Sequence, residues 1–122
     1  MRTNVGTTIR LERGKATLKT DSAVSKARAA LYASWFAALG EPNRIRILHE
    51  LALTREGRTI GELARSLGIG QSTLSHHVAR LAAVRFVSTQ RLGTSTLITL
   101  NRKCIAAFPE AANRIMRSSQ QA

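Results

Sequence analysis

Between Thr59 and Leu81 the chain reads as two short amphipathic helices joined by Gly68-Ile69-Gly70, and this arrangement limits the fold more than any other stretch. Thr59 and Glu62 form a Thr-x-x-Glu pair that can cap a helix start reciprocally. Ile60, Leu63, Ala64 and Leu67 follow at helical spacing, and Gly68 supplies the left-handed residue that stops a helix. Beyond the turn, Leu74, Val78 and Leu81 mark the buried side of a second helix. Two short helices joined this tightly through glycine predict a helix-turn-helix.

The second helix carries its information on the other side. At about 100° per residue, Ser72, His76 and Ala79 lie opposite the apolar stripe, with Thr73, Ser75 and Arg80 on the flanks. That face is short, polar and free of acid. Small hydroxyl residues allow close approach to phosphates and base edges, while His76 and Arg80 reach further. A helix that merely faces water usually carries Glu and Lys four residues apart, and this one carries neither. The face is shaped for the major groove of DNA.

Charge agrees with a polyanionic partner. Nineteen Lys and Arg stand against seven Asp and Glu, a net charge of +12 spread along the whole chain. A chain of 122 residues suits one domain with a real core. No long apolar run, strongly basic amphipathic helix or signal-peptide core is present, so no membrane partner is expected. A single cysteine rules out a disulfide framework within the chain and fits a reducing cytoplasm. A sequence-tolerant nucleoid-associated or RNA-binding protein is the alternative that the charge allows. Single-strand and RNA binders usually present aromatic stacking platforms, and the five aromatic residues here sit mostly at core spacings.

In chain order, residues 1–20 are basic and without sustained period, and are predicted to be a disordered arm. Residues 21–117 form the predicted DNA-binding and dimerisation domain, and 118–122 a disordered tail. Asp21 or Ser22 can cap a first helix running to Leu39, with Ala27, Leu31, Trp35 and Ala38 as its stripe. Pro42 is placed to open a second helix, about 42–54, packing through Ile45, Leu48, Leu51 and Ala52, with Arg44 and Arg46 at its border. Residues 55–58 read as a polar loop. Phe86–Leu92 and Ser95–Leu100 flank Gly93-Thr94 and predict a hairpin, with Arg91, Thr94 and Ser95 near its tip. Asn101 can cap a last helix that breaks at Pro109 and restarts to residue 117. The fold class expected is mainly α with a β-hairpin wing, a homodimeric winged helix-turn-helix. The first and last helices carry more apolar surface than a small core needs, so Leu31, Trp35, Ile105, Phe108 and Ile115 are assigned to a two-fold interface.

Leu39-Gly40-Glu41-Pro42-Asn43-Arg44-Ile45-Arg46-Ile47-Leu48, Glu62-Leu63-Ala64 and Gln71-Ser72-Thr73-Leu74-Ser75-His76-His77-Val78 resemble the ArsR/SmtB family of bacterial repressors. The likeness covers roughly residues 30–108. It implies a homodimer that binds double-stranded operator DNA at a palindrome and leaves it when an inducer arrives. It also implies that Gln71, Ser72, Ser75 and His76 lie at the DNA and that His77 packs beneath them.

The ligand sets of metal-sensing relatives are missing. Where such relatives carry a Cys-x-Cys pair before the recognition helix, this chain has Thr59 and Gly61. The terminal segment offers no His and one acid, Glu110, for the other type of site. No metal and no cofactor is therefore expected, and the sequence assigns no inducer. Cys104 is placed either as a small apolar residue or, beside Arg102 and Lys103 near a helix start, as a thiol sensor. Catalysis would need Cys104 or a serine with His49, His76 or His77, and no nucleophile motif surrounds any of them, so no enzyme is expected.

Overall fold

A computed structural model describes residues 8–12, 15–19 and 24–117. The strands β1 (Thr8–Glu12) and β2 (Lys15–Lys19) pair antiparallel, with Ile9 opposite Leu18 and Leu11 opposite Ala16. This pairing falls within the stretch 1–20 expected to be a disordered arm; the rest of that stretch and residues 118–122 lie outside the described residues. Helix α1 (Lys26–Leu39) starts at Ser25, whose Oγ accepts from the Arg28 N–H at 3.1 Å. Its cap lies later than expected, Asp21 and Ser22 being outside the described residues. Tyr32 and Ala38 are buried and Trp35 half-buried, whereas Ala27 and Leu31 are exposed.

Helix α2 (Pro42–Ala52) is started by Glu41, whose Oε1 accepts from the N–H groups of Asn43 (2.7 Å) and Arg44 (3.2 Å). Its inner face differs from the expected one. Arg44, Ile47 and Leu51 are buried, Leu48 is half-buried, and Ile45 and Ala52 face out. The segment holds two overlapping apolar stripes, and packing selects the one centred on Ile47 and Leu51. The long stem of Arg44 can then cover core surface.

Arg58–Thr59 forms β3, taking the last residue of the loop expected over 55–58 together with the expected helix cap Thr59. Its partner is β5 (Ser95–Leu100), with Arg58 opposite Ile98 and Thr59 opposite Leu97. A two-residue strand has no period of its own, and what holds it lies some forty residues away. Helix α3 (Ile60–Leu67) follows with both capping-box bonds formed, and Gly68 closes it at φ 68°. Helix α4 (Gln71–Ala83) comes next, then β4 (Val87–Leu92), turned back on β5 through Gly93 at φ 64°. The sheet order is β3-β5-β4.

Helix α5 (Arg102–Met116) opens at Asn101, whose Oδ1 accepts from the Cys104 N–H at 3.3 Å. It runs unbroken through Pro109, against the expected break. Proline removes one N–H, yet Ile105, Phe108, Ala111 and Ala112 keep a buried or half-buried face on both sides of it. Ile47, Leu51, Leu63, Leu74, Leu81, Phe86 and Ile98 are fully buried at the centre, drawn from α2, α3, α4, the α4–β4 turn and β5. The architecture is a winged helix-turn-helix.

Candidate nucleic-acid interface

Helix α4 divides as its sequence predicts. Leu74, His77, Val78 and Leu81 are buried, while Gln71, Ser72, Thr73, Ser75, His76, Ala79 and Arg80 are exposed. The exposed set is hydroxyl, amide, imidazole and guanidinium, with one methyl group and no carboxylate. Gly70 caps the helix without a side chain, so nothing projects over its first turn. At the wing, Arg91, Thr94 and Ser95 are exposed on the two arms of the β4–β5 turn, along with Leu92.

Arg65 was missed from sequence. It is exposed in the last turn of α3, and its guanidinium and the Gln71 amide both lie beside Gly61. A signal existed, since Arg65 falls on the outer side of a helix whose inner side is Leu63, Ala64 and Leu67. It brings another cation to the edge of the turn.

The acids of the helix-turn-helix and its flanking elements are tied to internal donors. Glu50 accepts from Arg58 Nη1 and Ser66 Oγ, each at 3.0 Å, and these bonds, Arg58 first, hold its carboxyl below the usual carboxylate value. Glu62 is lowered chiefly by the Thr59 N–H, 2.9 Å away, and Glu56 by the Thr54 hydroxyl at 2.7 Å. Glu41 is held at the start of α2. Between residues 31 and 100 these are the carboxylates the chain has. Their engagement leaves Arg65, Arg80 and Arg91 with no ion pair to an acid among the described residues.

Thr59 and Gly61 both serve local structure. Thr59 Oγ1 accepts from the Glu62 N–H at 3.1 Å, and Gly61 gives room to Gln71 and Arg65. Among the described residues no three His, Cys, Asp or Glu side chains cluster where a metal ion could be held. Cys104 is half-buried against the core, and its Sγ accepts from Asn101 Nδ2 at 3.3 Å. Arg102 is turned to the Thr54 carbonyl, 3.3 Å away.

The residues assigned to a two-fold interface fall into two groups. Trp35, Ile105 and Phe108 pack on the core of their own chain, with the Trp35 and Phe108 rings 6.1 and 6.2 Å from Phe86. Leu31 and Ile115 are open, at 48% and 44% exposure. Phe36 and Met116, not singled out from sequence, are also exposed. Phe36 stacks edge-on to Phe108 with centroids 5.0 Å apart, which joins α1 to α5. Among the described residues no helix is long and apolar enough to cross a membrane.

Comparison with known proteins agrees with this geometry. Residues 39–90 match a family model described as a helix-turn-helix domain. The nodulation protein NolR of Rhizobium meliloti is 38% identical over 63 residues, 52% of this chain and 50% of that protein, so the chain spans half the length of that relative. A transcriptional repressor SmtB homologue of Synechocystis sp. is 27% identical over 92 residues, 75% of this chain and 68% of that protein. An ArsR-like transcriptional regulator from Rhodococcus sp. RHA1 superposes with a TM-score of 0.63 at 26% identity, covering 73% of this chain and 82% of that one. With its turn and wing in place, the chain has a winged helix-turn-helix fold and is similar to transcription regulators of the ArsR/SmtB type.

Proposed function

We propose that this regulator is a cytoplasmic repressor that binds a palindromic operator as a homodimer, each protomer placing α4 in the major groove. The observation that carries the reading is the exposed, acid-free face of α4 formed by Gln71, Ser72, Thr73, Ser75, His76 and Arg80. Ser75 and His76 are the base-reading pair, Gln71, Ser72 and Thr73 approach the backbone at the helix start, and Arg80 takes a phosphate. Arg91, Thr94 and Ser95 bring the wing to the flanking backbone. The exposed Leu31 and Ile115 on α1 and α5, joined by Phe36 and Met116, supply the apolar surface of the two-fold contact.

The regulator does not sense metals through thiolates. A tetrahedral or trigonal thiolate site needs several ligands, and Cys104 supplies one. Cys104 pairs of a dimer still fall short of a full shell. The thiol keeps a second role open to test, since oxidant-induced release from DNA that is lost in Cys104→Ser makes it the sensor.

Selection of duplexes from a randomised pool by the full chain tests the proposal. An enriched inverted repeat, its halves one helical turn apart, about 34–36 Å, is expected. A pool that stays random, or preference for single strands, overturns it in favour of nucleoid-type or RNA binding.

A further inference from the structure

The buried face of α4 contains one residue that packing alone does not call for. His77 lies among Leu74, Val78 and Leu81 at 8% exposure, where an aliphatic side chain would complete the stripe. Its Nδ1 is shut off from solvent and has no protein hydrogen-bond partner, an arrangement that costs stability. Its Nε2 lies 3.8 Å from Glu41 Oε1. That distance is beyond a hydrogen bond but close enough for attraction between a carboxylate and an imidazole N–H.

Glu41 is a fixed reference point. The same Oε1 accepts from the Asn43 and Arg44 N–H groups, and α2 is anchored in the core through Ile47 and Leu51. His77 is also the next residue after His76, with the two rings 6.1 Å apart and His76 on the outer face. A rotation of α4 that moves His77 past Glu41 therefore swings Ser75 and His76 by the same angle across the groove. Packing of Leu74, Val78 and Leu81 in the core excludes large rotations of α4, so only a small range of rotation is left for a polar contact to bias. The attraction between His77 Nε2 and the single oxygen Glu41 Oε1 depends on their separation, and so favours the rotation that brings them together.

We propose that the Glu41–His77 contact sets the rotation of α4 about its axis, so that His77 is a positioning residue for base reading by Ser75 and His76. The inference rests on the reading of α4 as the base-reading helix. It separates two quantities that packing would change together. Replacing His77 by an aliphatic residue relieves a buried polar cost, yet loosens the aim of the helix.

The test compares affinity for a duplex selected from a randomised pool with affinity for a random duplex of equal length, alongside thermal stability. The variants are His77→Leu, His77→Gln, Glu41→Gln and the double variant Glu41→Gln/His77→Leu. His77→Leu is expected to keep or raise Tm and to leave binding to the random duplex unchanged. Its specific-to-random ratio is expected to fall about tenfold, the scale of one lost base contact. Glu41→Gln retains a carbonyl oxygen for the α2 start, loses the charge, and is expected to lower the ratio likewise. The double variant should be no worse than the poorer single, and His77→Gln, with an N–H to offer Glu41, should recover part of the ratio.

A folded His77→Leu with an unchanged ratio, or losses that add in the double variant, overturns the proposal. If His77→Leu does not fold, Glu41→Gln and His77→Gln decide by the same ratio. A wild-type ratio near one removes the base-reading role of α4 itself. That result is distinct from a high wild-type ratio that the variants fail to move.

Discussion

Arg46 ties the helix before the turn to the helix behind it: its Nη2 donates to the Leu67 carbonyl at 2.9 Å, and its Nη1 to Asn43 Oδ1 at 2.9 Å. Leu67 ends α3, where carbonyls lack intrahelical partners and a cation is favoured. The bond holds the α3 C-terminus, and with it the turn, against α2. Arg46→Ala is expected to lower stability by about 0.5–1.5 kcal/mol in urea titration. An unchanged midpoint would show that the contact contributes nothing.

Arg85 sits at φ 65° just after Val84, the C-cap of α4, where a glycine is the usual residue. Its N–H donates to the Ala82 carbonyl at 2.9 Å and the Phe86 N–H to that of Leu81 at 3.0 Å, the two bonds of a Schellman end. Phe86 and Leu81 are both fully buried beside it. Arg85→Gly is therefore expected to stabilise the fold by about 0.5–1 kcal/mol. A loss of stability would mean that attraction between the guanidinium and the helix end outweighs the backbone strain.

Acid should weaken the fold through Glu50, Glu56 and Glu62, whose hydrogen bonds hold their carboxyls below the usual carboxylate range. A depressed carboxylate contributes stability above its unfolded pKa, and that contribution is lost as pH falls through the folded one. Stability is thus expected to decline from about the ordinary carboxylate range of pH 4–5 downward. Glu62→Gln and Glu50→Gln should each flatten that decline, Glu50→Gln by losing the Arg58 and Ser66 bonds. Denaturation midpoints across this range that do not differ between wild type and variants would contradict the assignment.

Much of the site was legible because its signals are local. The Thr59–Glu62 capping box, Gly68, the split faces of α4 and the Gly93 turn each follow from residues within one or two helical turns of each other. What was illegible depends on partners distant in sequence. Ile45 and Ile47 compete for the same core, and only contact with the rest of the domain selects Ile47. The β3 strand exists through Leu97 and Ile98. Pro109 signals a break that the apolar contacts of α5 override, and Arg85 hides a helix end normally marked by glycine. Trp35 and Ile105 were assigned to the interface from the surplus apolar surface of the first and last helices, and both also pack half-buried on the protomer's own core, a contact the sequence does not specify.

That last distinction sets the dimer test. A charge at Trp35 or Ile105 would damage the protomer, so Leu31→Glu and Ile115→Glu, at open positions, are the informative variants. Light scattering at micromolar concentration should give a dimer mass for the wild type and a monomer mass for these variants, with helical content retained. A monomeric wild type would remove the two-fold reading of the operator.

The central claim is that the outer face of α4 reads sequence while the wing supplies general affinity. It is tested most directly by one ratio at fixed salt, the affinity for a selected duplex over that for a random one. The ratio should lie in the range of about 10³–10⁷ for the wild type. His76→Ala or Ser75→Ala should cost about 1–3 kcal/mol of that preference. Arg91→Ala should leave the ratio intact, weaken binding to both duplexes, and lower the salt slope by about one unit per protomer. A wild-type ratio near one, or a ratio that His76→Ala does not change while Arg91→Ala does, would contradict the account.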